Sequence, residues 1–169
     1  TEIYTLSLHD ALPIYHENQT VHAKFPNLVT IPFERPEDGF KLIIDSMVSG
    51  TDILHGAPIY YLPEGIFGVA DILEKSNTES SIFGNYHYTI KEVKLAKNIQ
   101  EEHLLQGAFY NYLLGKIQGI TPKTFAMING DREESLHEYS DYDSLLFDSI
   151  DGARKILQGG SISPTHGSC

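Results

Sequence analysis

The stretch YTIKEVKLAK, residues 88–97, decides how this chain is read. Its β-favouring residues predict a strand, and strict alternation sets Tyr88, Ile90, Glu92, Lys94 and Ala96 on one face. Thr89, Lys91, Val93 and Leu95 take the other face. An acid and a base on an otherwise apolar face are costly to bury unless an ion pair or a metal compensates them. The preceding strand candidate, GIFGVADILEK (65–75), offers a second acid, with Phe67, Val69, Asp71 and Leu73 sharing a face and Gly68 and Ala70 opposite. Paired as antiparallel neighbours, the two strands bring Asp71 and Glu92 within reach of one cation.

Hard oxygen ligands of this kind suit Mg²⁺ or Mn²⁺, which keep several waters and accept phosphate oxygens. The Val93 backbone carbonyl lies between the two charged side chains and completes the expected coordination. Lys94, beside the ion, is placed to position or activate an attacking water. Phosphodiester cleavage needs such a water and a counter-charge for the developing anion, and a carboxylate-held divalent ion supplies both.

Further out, NLVTIPF (27–33) predicts a short strand and RPEDGFKLIIDSMVSG (35–50) a helix. Pro36, Glu37 and Asp38 stand at the start of that helix, and Gly50 ends it. DILHGAPIYYL (52–62) is a strand, joined through Pro63–Glu64 to the one that carries Asp71. IQEEHLLQGAFYNYLLGKIQG (99–119) is the strongest helix, with Leu105, Phe109, Tyr112, Leu113 and Ile117 as its apolar stripe. Gln106 and Tyr110 lie side by side, four residues apart, at the border of that stripe. PKTFAMING (122–130) returns to strand and DSLLFDSIDGARKIL (143–157) to helix. The order predicts an α/β sandwich around a mixed central sheet.

Length and composition fit one ordinary domain: 169 residues, 41% hydrophobic and 11% aromatic. No apolar run is long enough for a membrane span, and the single cysteine, Cys169, fits a reducing cytoplasm. The net charge of −11 argues against nucleic-acid binding by bulk electrostatics, yet the charges are segregated. Asp131–Asp151 holds eight acids and one base, Arg132, whereas the opening stretch carries Lys91, Lys94 and Lys97. Thr1–Ile14 resembles the conceptual translation of a sequencing-library adapter, so residues 1–15 are set outside the fold. Residues 16–169 are then expected to form one module, shortened at both ends. The eight histidines show no i,i+4 pair, and DYDSLLFDSID (141–151) lacks the glycine and final glutamate of a calcium loop.

GVADIL, YTIKEVKLAK and LLQGAFYNYLLGKIQG, in this order and spacing, resemble the Asp, Glu-x-Lys and Gln-x-x-x-Tyr motifs of RecB-type nucleases of the PD-(D/E)xK superfamily. The likeness runs over roughly Asp52–Cys169 and is nearest to bacterial nucleases in which the module precedes a ribonuclease-H-like domain. It implies a restriction-endonuclease-like fold, dependence on a divalent metal, and a DNA substrate, with RNA as an alternative. Asp71 and Glu92 would be metal ligands, Lys94 the catalytic lysine, and Gln106 and Tyr110 the supporting pair. Cys169 would be the first ligand of an iron–sulfur or zinc centre in a longer parent. The family's further acid or histidine on an early helix has no match here: His55 falls on a strand and Glu37 and Asp38 at a helix start. That gap, together with the acidic balance, favours the alternative of a noncatalytic nucleic-acid-binding or scaffolding module.

Overall fold

The structure, a computed structural model, describes the backbone of residues 11–157 and the side chains of residues 18–155. The elements run α1 (Ala11–Lys24), β1 (Val29–Thr30), α2 (Pro36–Val48), β2 (Ile53–Tyr61), β3 (Ile66–Ser76), β4 (His87–Val93), α3 (Glu101–Gln118), β5 (Thr124–Ile128), β6 (Glu134–Glu138) and α4 (Asp143–Leu157). The six strands form one sheet in sequence order. β1 and β2 are parallel across α2, β4 and β5 are parallel across α3, and the remaining neighbours are antiparallel. This is an α/β architecture, a mixed sheet flanked by helices. Among the described residues, no helix is long and apolar enough to cross a membrane.

Two cores lie on opposite faces of the sheet. The larger gathers Leu54, Leu73, Tyr88, Ile90 and Met127 against Phe109, Leu113 and Leu114 of α3, with Ile43 and Met47 of α2 closing its side. The smaller packs Val21 of α1 and the adjacent Phe25 on Ile72, Val93 and Ile128. Each fully buried Leu, Ile or Met contributes about 1.5–3 kcal/mol of transfer free energy, so the α3 face dominates the stability of the sheet.

α3 is capped at its start by Gln100 and His103, each side chain bonding the other's backbone, and stopped by Gly119. Its expected apolar stripe is only part of what it buries. Every residue from Gly107 to Gly115 is buried, because the helix is covered by four strands on one side and by α4 on the other. Leu105 and Ile117, at the ends of the stripe, are half-buried. A helix clamped on two sides shows no single stripe. The helix sits close to β3 because Gly68 has no side chain; a Cβ there would come within 2.4 Å of the Tyr110 ring.

Three points differ from the sequence reading. α1 begins at Ala11, inside the segment set aside as adapter-like; residues 1–10 lie outside the described residues. β6 was not foreseen at all. The face assignment on β3 also fails before Asp71: Gly68 and Ala70 turn toward α3 and the main core, whereas Phe67 packs on Tyr60 at 4.4 Å between ring centroids. The alternation slips by one at Asp71. On β2 the same slip falls at Gly56 (φ 67), the residue across from Asp71, so that Leu54 and Ala57 both reach the main core.

Candidate active site

β3 and β4 are laddered from Ser76–His87 to Ile72–Lys91, and the next pair in that register is Asp71 and Glu92. There the ladder gives way to side chains. The Asp71 N–H donates to Glu92 Oε1 at 2.9 Å, and the Val93 N–H donates to Asp71 Oδ2 at 2.8 Å. Each carboxylate thus receives a backbone donor released as the strands part. The two acids expected to converge do so, at the end of β4 where the chain leaves the sheet.

Glu92 is 1% exposed, deeper than a carboxylate is normally found without a cation. Burial pushes its carboxyl well above the usual range, and the Asp71 charge pushes it further. The Lys94 ammonium opposes both. Two acids sharing one buried corner therefore favour a proton or a cation between them.

Lys94 continues the chain past β4, its backbone N–H bonded to the Ile128 carbonyl of β5. Its Nζ donates to Gln106 Oε1 at 2.5 Å, and Gln106 Nε2 donates to Tyr110 Oη at 3.0 Å. The Gln106 amide is held at both ends, which orients the lysine from the helix side. Asp71 with Glu92, and Lys94 with Gln106 and Tyr110, thus form two hydrogen-bonded groups between the β4 end and the first half of α3, linked by the Lys94 charge acting on Glu92. Val93 contributes its N–H to Asp71 and its side chain to the smaller core. Cys169 lies outside the described residues.

Two histidines near this corner escaped the sequence reading. His22, on α1, meets His55 edge to face at 5.8 Å between ring centroids. Burial lowers the His55 pKa, with Asp71 opposing the shift and His22 adding to it, and its Nδ1 lies 3.2 Å from Thr30 Oγ1. Asp71 thus acts on His55 of β2, and His22 of α1 reaches this side of the sheet only through its contact with that ring. His103, in the first turn of α3, is the other; burial lowers its pKa and the Lys94 charge lowers it further. Only its proximity to a charged strand end marks it, and sequence spacing carries no trace of that. Glu37 and Asp38 stay helix-start acids, Glu37 facing Tyr60 Oη at 3.4 Å and Asp38 paired with Arg35 at 2.9 Å.

Among the described residues, no group of three or more His, Cys, Asp or Glu side chains gathers as a ready metal cage. Two carboxylates, one of them buried beside a like charge, fit Mg²⁺ or Mn²⁺, which draw remaining ligands from water and substrate phosphate. They do not fit an all-protein zinc site. Comparison with protein-family models and with curated proteins gives no match to this chain.

Proposed function

We propose that this chain is a RecB-like nuclease module with the restriction-endonuclease-like fold of the PD-(D/E)xK superfamily, cleaving DNA phosphodiesters with Mg²⁺ or Mn²⁺ at Asp71 and Glu92. One observation carries the reading: a carboxylate pair where β3 and β4 part, Glu92 buried and Asp71 half-buried, near a lysine held by Gln106 and Tyr110. Each acid receives one backbone N–H, and the two carboxyl groups face each other; Asp71 and Glu92 would hold the ion, with the Val93 carbonyl as a further ligand. When bound there, a divalent ion supplies Lewis-acid charge at the phosphate and an acidified water. The chain's own residues do the rest. Gln106 fixes the direction of the Lys94 ammonium, which donates to the attacking water or to a nonbridging phosphate oxygen as negative charge develops. Tyr110 holds the far end of the Gln106 amide, so lysine, amide and phenol act as one positioning chain. The buried wall around Glu92 keeps bulk water from screening these charges.

The test is cleavage of labelled DNA and RNA with Mg²⁺ or Mn²⁺, by wild type and by Lys94→Ala. Loss of about 10²–10³ in rate with the melting temperature retained supports the enzyme. Cleavage that survives the substitution overturns it. A second reading has its own observation. Both carboxylates already satisfy backbone donors, which explains them in a noncatalytic nucleic-acid-binding or scaffolding module. Under that reading wild type cuts neither substrate.

A further inference from the structure

The loop Asn129–Glu133, between β5 and β6, is built more firmly than a four- or five-residue turn requires. Asn129 Oδ1 accepts the N–H groups of Asp131 (3.0 Å) and Glu133 (2.9 Å), and Asn129 Nδ2 donates to Glu133 Oε2 at 3.0 Å. The Gly130 N–H donates to the Ala96 carbonyl at 2.9 Å, which ties this loop to the one carrying Lys94 away from β4. The Arg132 N–H closes back on the Asn129 carbonyl, and Lys24 Nζ reaches the Arg132 carbonyl at 3.4 Å.

Inside this frame Arg132 adopts φ 64, the only non-glycine residue with positive φ among the described residues. Glycine or asparagine occupies such a position with less strain than arginine does, so a side chain kept there against strain is a pointer to use. The neighbouring charges are otherwise occupied. Asp131 pairs with Lys97 at 3.5 Å and Glu133 bonds Asn129. Of the described arginines, Arg35 pairs with Asp38 and Arg154 with Glu64; Arg132 is exposed and has no ion pair among the described residues. The loop also stands at the C-terminal ends of the parallel strands β4 and β5, where open α/β sheets bind their ligands.

We infer that Arg132 is a substrate-positioning residue that grips the phosphodiester backbone of the nucleic-acid strand entering the Asp71–Glu92 corner; this rests on the nuclease reading above. A guanidinium offers two parallel donors to one phosphate, and the turn that carries it is tied through Gly130 to the segment that follows Lys94. Nothing in this role touches the reacting atoms.

Arg132→Gly separates the role from folding, because glycine relieves the backbone while deleting the guanidinium. Binding of a fluorescent DNA duplex is followed by anisotropy in EDTA across a salt series, beside melting and metal-dependent cleavage. The expected result is an unchanged or higher melting temperature, affinity weakened roughly fivefold or more, and a salt slope reduced by about one. Cleavage at saturating DNA should stay near wild type, and Arg132→Lys should restore part of the affinity. Should Arg132→Gly melt lower than wild type, Arg132→Asn, which also tolerates this backbone, repeats the measurement. Wild-type affinity and salt slope in the folded variant, with wild type cleaving DNA, sink this inference alone. If wild type neither binds nor cleaves, both this and the nuclease reading fall.

Discussion

β4 lacks a neighbouring strand at each of its ends, and the two ends meet that lack in opposite ways. At Tyr88, before β5 begins to pair, the Gln118 side chain stands in for the missing strand. Its Oε1 accepts the Tyr88 N–H at 2.8 Å, and its Nε2 donates to the carbonyls of Tyr88 (3.0 Å) and Ile120 (3.1 Å). At Val93, where β3 departs, two carboxylates stand in instead. A buried neutral amide meets both a donor and an acceptor with no charge to desolvate. Two carboxyl groups doing a similar task around the buried Glu92 carry a desolvation cost that the amide does not, and that contrast is what the proposed function builds on.

The largest expected stability effect lies at the amide end. Gln118→Ala strips three hydrogen bonds, two of them from buried backbone groups, and should cost about 2–4 kcal/mol in denaturant unfolding. A loss within experimental error would break the comparison, because Gln118 would then not be substituting for a strand.

Next comes the cation. Mn²⁺ at about 100 times its dissociation constant should stabilise wild type by about 2.7 kcal/mol, and Glu92→Gln should lose most of that gain. Equal stabilisation of both proteins would place the ion elsewhere.

The smallest effect sharpens the contrast without metal. In the folded protein Glu92 keeps its proton at pH values where the unfolded chain has released it. The contribution of Glu92 to stability is therefore greatest around and below the ordinary carboxylate range, and falls as pH rises toward the raised value. Glu92→Gln keeps the acceptor for the Asp71 N–H and removes the titration. In EDTA its melting temperature should stay flat across that interval, with a gain on the order of 1 kcal/mol at neutral pH. A wild-type profile equally flat would mean that the pair does not carry its charge as described.

α2 and α4 are legible in the sequence through a one-sided apolar stripe, and β2 to β5 and α3, largely buried on both sides, as apolar runs set off by turn and cap residues. β6 has none: four of its five residues are exposed, and Leu136 points an apolar side chain to water. It is a strand only because β5 offers an edge. α1 buries little among its described side chains beyond Val21, so no stripe announces it, and its first residues lie in a stretch that reads as foreign. The convergence of Asp71 and Glu92 follows from antiparallel pairing, although Asp71 itself sits at the slip on β3, opposite Gly56 of β2, which no alternation rule contains. Gln118 carried no signal either, because a glutamine before a helix-ending glycine is ordinary until its neighbours are known.

The bare backbone at Gly68 has a mechanical consequence. Residue 68 lies on β3, the strand that delivers Asp71, and Tyr110 fills the notch that it leaves. The depth of that notch sets how far α3 stands off the sheet, and so the span that the Tyr110–Gln106 linkage must bridge to reach Lys94. A single methyl group wedged in would lift the helix and pull the relay away from the acids while leaving every polar member chemically intact.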